Sequence, residues 1–249
     1  MRLIKVFVLM LMVAIAACEG DSEMSDSATG QGGSMTRFAI NDNYLYIVDH
    51  SDISVFNIKD NTFEQVGKVN AGIGLETIFA RGEYLYLGAN DAMYIYSLAQ
   101  PEAPQFIFRY AHIVSCDPVV VQGNRAYVTL RGGNLCNRGT NALEIIDISN
   151  PYEPTLISNN PMQSPHGLAV VDNLLFLCEG DNGLKVFNIS NEQQIEQRTH
   201  LTDLHAYDVI ARDGILVVTG EDGVFQYRYD SATGSLEMLS KIPVNRSEV

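Results

Sequence analysis

Arg81-Gly82-Glu83-Tyr84-Leu85-Tyr86-Leu87, followed nine residues on by Met93-Tyr94-Ile95-Tyr96, is the stretch whose reading decides the fold. A glycine-containing turn opens an alternating apolar run rich in aromatics, and a second such run follows. That is the pattern of short antiparallel strands joined by tight turns. The unit recurs. Tyr44-Leu45-Tyr46-Ile47, Arg125-Ala126-Tyr127-Val128, Leu174-Leu175-Phe176-Leu177 and Ile215-Leu216-Val217-Val218 are its counterparts. With Tyr46, Tyr86, Tyr127, Phe176 and Val217 as register marks, the spacings are 40, 41, 49 and 41 residues.

Each unit continues with a third run, such as Leu143-Glu144-Ile145-Ile146-Asp147-Ile148, and closes on a weaker fourth, such as Thr155-Leu156-Ile157. Four short strands repeated at about forty residues is the signature of a β-propeller; β-sandwich domains need no such period. The expectation is an all-β propeller of five four-stranded blades, at about residues 35–73, 74–113, 114–162, 163–203 and 204–244, with a tail at 245–249. No strand is exchanged between the termini in this reading, so side-chain packing between blades must hold the ring.

Leu143-Glu144-Ile145-Ile146-Asp147-Ile148-Ser149-Asn150-Pro151 and Leu184-Lys185-Val186-Phe187-Asn188-Ile189-Ser190 resemble the LVIVD repeat of secreted bacterial propellers. The likeness is good in the third and fourth units and partial elsewhere: Lys59 stands where the serine would fall in the first, and the fifth lacks the Asp-Ile-Ser ending. The resemblance implies a propeller and brings no established activity.

The N-terminus concerns location. Arg2 and Lys5 precede the apolar run Val6 to Ala17, and Ile15-Ala16-Ala17-Cys18 resembles the bacterial lipobox, in which cleavage before the cysteine frees a thiol for lipid. The run is short for a membrane span and ends in small residues, as an export signal does. Residues 1–17 are therefore expected to be a lipoprotein signal peptide, with an ordinary secretory signal as the alternative. Residues 18–34 then form a lipidated Cys18 and a Gly/Ser-rich acidic tether with too little apolar surface to order itself. Glu19, Asp21 and Glu23 loosely resemble the surface-export signal of Bacteroidetes-type lipoproteins. The expected home is the bacterial cell envelope, at the outer membrane, on either its surface or its periplasmic side.

The chain of 249 residues carries 16 Lys and Arg against 30 Asp and Glu, a net charge of −14, which disfavours nucleic acid as a partner. Of four cysteines, Cys116 and Cys136 fall at one end of the third unit and are expected to form a disulfide in an oxidising compartment; two separate buried thiols are the alternative. Cys178 reads as a small core hydrophobe. No CxxC, GxSxG, HExxH or phosphate-binding glycine loop is present.

The starts of the inner strands should ring the mouth of the central channel. They carry Arg37, Glu76, Asp117, His166 and Asp208, with His205 just upstream. Imidazole with carboxylates can hold a divalent cation or pair as acid and base, although such a rim is polar in any propeller. The insertion at 131–140, with Arg131, Asn134 and Arg138, reads as a contact loop. Two functions fit: a lipid-anchored, non-enzymatic module binding a protein or an extracellular ligand, or an envelope hydrolase or lyase using Glu76, Asp117, His166 and Asp208, with or without a metal.

Overall fold

The computed structural model describes residues 33–111, 118–132 and 141–244. Its eighteen strands form four sheets among the described residues. The first sheet contains β1 (Phe38–Asn41), β2 (Tyr44–Asn57), β3 (Glu64–Arg81), β4 (Tyr84–Ala89), β5 (Ala92–Ser97) and β6 (Gln105–Ala111). The second contains β7 (Val119–Gln122), β8 (Arg125–Leu130), β9 (Ala142–Asp147) and β10 (Thr155–Pro161). The third contains β11 (Leu168–Val171), β12 (Leu174–Cys178), β13 (Leu184–Asn188) and β14 (Glu196–Leu201). The fourth contains β15 (Ala206–Arg212), β16 (Ile215–Gly220), β17 (Gly223–Tyr229) and β18 (Leu236–Pro243). Each sheet is an antiparallel meander in chain order, the local-pairing topology of a propeller blade.

The expectation of five four-stranded blades is corrected here: there is one six-stranded sheet and three four-stranded ones. The strands of the first two repeats are hydrogen-bonded into a single sheet. The 14-residue β2 bends at His50, where φ is 36°, without ending. The 18-residue β3 runs through Gly72 and Gly74, at φ 116° and 78°, conformations that glycine adopts without a Cβ clash. Their ladder therefore continues from Asn57↔Glu64 to His50↔Leu75, and the 73/74 joint lies inside β3.

Alternation along each strand builds the core. In the second sheet Val119 and Val121 pack with Tyr86, Met93 and Ile95 of the first sheet, while Val120, on the opposite face, packs with Leu168 and Val170 of the third. Phe176, Leu184 and Val186 then meet Val209, Leu216, Val218 and Phe225 of the fourth. Each such side chain stabilises by roughly 1.5–3 kcal/mol on burial. Among the described residues none of the four apolar clusters joins β15–β18 to β1–β2. The fourth sheet and the β1–β2 end of the first are accordingly buried on one face: β16 reads half-buried Ile215 and Val217 against buried Leu216 and Val218. Polar contacts of Ser34 and Met35 with Asp208 link the N-terminal segment to β15.

Candidate functional site

The innermost strands deliver their first residues to one end of the molecule. Two of them carry β-bulges there: the β3–β4 ladder skips Glu76 between Leu75 and Thr77, and the β15–β16 ladder skips Tyr207 between Ala206 and Asp208. A bulge leaves one residue out of register and re-aims its neighbours. Backbone bonds then tie the rim together, with the Ile78 amide donating to Thr36 (3.0 Å) and the Gly167 amide to Tyr207 (2.9 Å).

A cavity of about 160 Å³ opens at this end, lined by Met35, Arg37, Glu76, Thr77, Pro118, Arg131, Pro165 and His166. Four of the residues singled out by sequence, Arg37, Glu76, Arg131 and His166, thus meet in one pocket. Burial pushes the Glu76 carboxyl above the usual range, opposed by the nearby Arg37 and Arg131 charges. His166 is 9% exposed. Its Nδ1 lies 2.7 Å from the Ser164 carbonyl, so that nitrogen carries the hydrogen. Its Nε2 lies 2.5 Å from Arg131 Nη1, a pure donor, so this nitrogen accepts. The ring is a neutral imidazole with both nitrogens engaged, and burial draws its pKa below the usual value.

Asp208 does not line the pocket. Its Oδ1 accepts the Ser34 hydroxyl at 3.1 Å and the Val209 amide at 2.9 Å, and Oδ2 the Met35 amide at 3.4 Å. A Cβ on Gly33 or Gly167 would collide with this carboxylate, which is why glycine stands at both positions. Asp208 is a structural acceptor that binds the N-terminal segment to the last sheet. His205 turns instead to Glu221 and Asp181. Asp117, Asn134, Arg138, Cys18 and the Cys116–Cys136 pair lie outside the described residues.

Two features escape the sequence analysis. Ser34, assigned to the tether, is 2% exposed, and its Oγ also accepts the Leu168 amide at 2.8 Å. Glu179, fully buried, forms an ion pair with Lys185 and accepts the Gln163 amide at 2.9 Å. The alternation of β13 put Lys185 on an inward face, the one signal that could have marked it. The Cys178 thiol is buried and its pKa raised, as a core residue's is.

The chain carries LVIVD repeats: residues 33–62 and 115–160 match the model of that repeat. No curated protein matches the sequence. Among solved structures it is similar to a putative 6-phosphogluconolactonase from Bacteroides uniformis, 13% identical with TM-score 0.68, over 84% of this chain and 70% of that one. It is similar too to BamB from Moraxella catarrhalis (12%, TM-score 0.58, 76% of this chain and 55% of that one). The computationally designed protein Ika8 is 16% identical with TM-score 0.60, over 80% of this chain and 59% of that one. The chain thus spans less than two thirds of the length of two of these three. At such identities the likeness speaks for the β-propeller fold alone.

Proposed function

We propose that this propeller of LVIVD repeats is a non-enzymatic binding module of the bacterial envelope, held to the membrane by a lipid on Cys18, and that its ligand presents a compact anionic group to the pocket between Arg37 and Arg131. The observation that carries the reading is the state of His166. Arg131 occupies Nε2 and the Ser164 carbonyl takes the Nδ1 hydrogen, so the ring offers no free lone pair to a substrate. A general base needs one. Among the described residues two guanidinium groups face one carboxyl, that of Glu76, a positive balance there in a chain of net charge −14. Guanidinium pairs suit carboxylates and phosphates, which they grip with paired N–H donors.

The test is calorimetric titration of the full chain, in detergent, with a panel of sugar phosphates, inorganic phosphate and short dicarboxylates. Saturable binding by at least one member, weakened tenfold or more in Arg131→Ala and in Arg37→Ala, is expected. Absence of saturation across the panel contradicts the anionic-ligand reading. Turnover of a sugar lactone or phosphoester by the wild type, lost in Glu76→Gln, would replace the binding reading with the hydrolase one.

A further inference from the structure

Beside the pocket, on the loops that follow β12 and β16 and on the residue just before β15, three side chains converge that the binding reading does not use. His205, Asp181 and Glu221 each offer an atom within 4.8 Å of the other two. We propose that His205 and Asp181 bind a divalent transition-metal ion of the zinc class, through imidazole Nε2 and carboxylate Oδ1, with Glu221 as the residue that orients the ring.

The backbone fixes this geometry before any ion arrives. Gly180 and Ala206 exchange both amide hydrogen bonds, at 3.0 and 3.1 Å, which sets Asp181 next to His205. The Asp181 turn is closed by Asn182 donating to Glu179 (3.0 Å) and Gly183 to Gly180 (2.9 Å). On the other side the Glu221 amide donates to the His205 carbonyl at 3.1 Å. All three residues are therefore anchored through short main-chain links rather than by long flexible side chains. Gly180 makes the approach possible: at φ 56° a Cβ there would stand 2.9 Å from His166 Cε1 and 3.2 Å from His205 Nε2.

The chemistry then follows from the two ring nitrogens. Glu221 Oε2 lies 2.9 Å from Nδ1 and, as a carboxylate, requires the hydrogen there. In the neutral ring Nε2 then carries the lone pair, facing Asp181 Oδ1 at 3.6 Å. That distance is long for a hydrogen bond but fits two ligands of one ion, since donors each about 2.1 Å from a zinc ion stand roughly 3–4 Å apart. A carboxylate on the far nitrogen of a ligating histidine is the usual second-layer support of such sites. An imidazole donor favours zinc, nickel or copper, whereas calcium and magnesium call for sets of oxygens. The Asp181 side chain is 92% exposed, so water can fill the remaining positions.

The experiment is titration of the chelator-stripped full chain with Zn2+, read by calorimetry and by the unfolding temperature. One equivalent should bind and raise the midpoint, as any ligand specific to the folded state does. Asp181→Asn, at an exposed position that the fold does not need, should weaken binding tenfold or more. His205→Ala should abolish saturation, and Glu221→Gln should cost about 10–100-fold through the lost orientation. Glu76→Gln, in the neighbouring pocket, should bind Zn2+ as the wild type does. Absence of a stoichiometric equivalent, or an Asp181→Asn protein that binds unchanged, would overturn the site and leave His205 as an ordinary hydrogen-bonding imidazole.

Discussion

The Ser34 hydroxyl donates to Asp208 Oδ1 at 3.1 Å across 174 residues of sequence, and Ser34 Oγ in turn accepts the buried Leu168 amide at 2.8 Å. One small side chain thereby joins the N-terminal segment to the third and fourth sheets, at the level where no apolar cluster does so. Ser34→Ala leaves both the Leu168 amide and one Asp208 lone pair without this partner. A loss of about 1–3 kcal/mol is expected for such a buried polar group. Urea unfolding of the variant against wild type measures it, and an unchanged midpoint would show that the latch carries no stability.

Burial raises the Asp208 carboxyl above its usual range, against the lowering effect of the Val209 amide and the Ser34 hydroxyl. A folded-state pKa above the unfolded one means that the folded chain holds the proton more tightly. The stabilising contribution is then full below the unfolded carboxylate value of about 4, and is lost as pH rises through the folded value. Asp208→Asn removes the titration. The stability of the wild type relative to this variant should therefore increase as pH falls from 8 towards 4, and parallel pH profiles would contradict the assignment.

Glu179 and Lys185 form a buried ion pair within the third sheet, with side chains 0% and 11% exposed. Removing one partner strands a charge in the core, while removing both need not. Lys185→Met alone should cost about 3–5 kcal/mol, and adding Glu179→Gln should restore most of it. A double-mutant cycle in denaturant reads the coupling; additive losses would mean that the pair is not an energetic unit.

The lipid and the cysteines are testable together. Cys18→Ala should move the protein from the membrane fraction to the soluble one, and retention with the membrane would remove the anchor. In that variant three cysteines remain of the four. Cys178, buried, should react with a maleimide only after unfolding. With Cys116 and Cys136 bridged, denaturation without reductant should expose one thiol, and with reductant three. Three without reductant would exclude the bridge.

The forty-residue period was legible because each unit repeats the same alternation, and Tyr86, Tyr127 and Phe176 all stand on second strands of that pattern, in β4, β8 and β12. The number of sheets was not legible. It depends on whether β2 and β3 stop or bend at His50, Gly72 and Gly74, and a glycine or a polar residue there is compatible with either outcome. That Arg37, Glu76 and His166 line one cavity was legible because the starts of inner strands must converge. Ser34 was missed because a serine between glycine and methionine looks like linker, and its partner lies 174 residues away. The hydrogen bonds that hold Asp208 were not legible either, since one of them comes from Ser34, in a segment that reads as tether.

The binding proposal requires His166 to be a held, neutral ring and not a free base. Its most direct test is long-range 1H–15N correlation of the imidazole across pH in the full chain. An Nδ1–H tautomer and a titration below the ordinary histidine range, both altered in Arg131→Ala, are expected. An Nε2–H tautomer, or an ordinary titration indifferent to Arg131, would contradict it and return the ring to the candidates for catalysis.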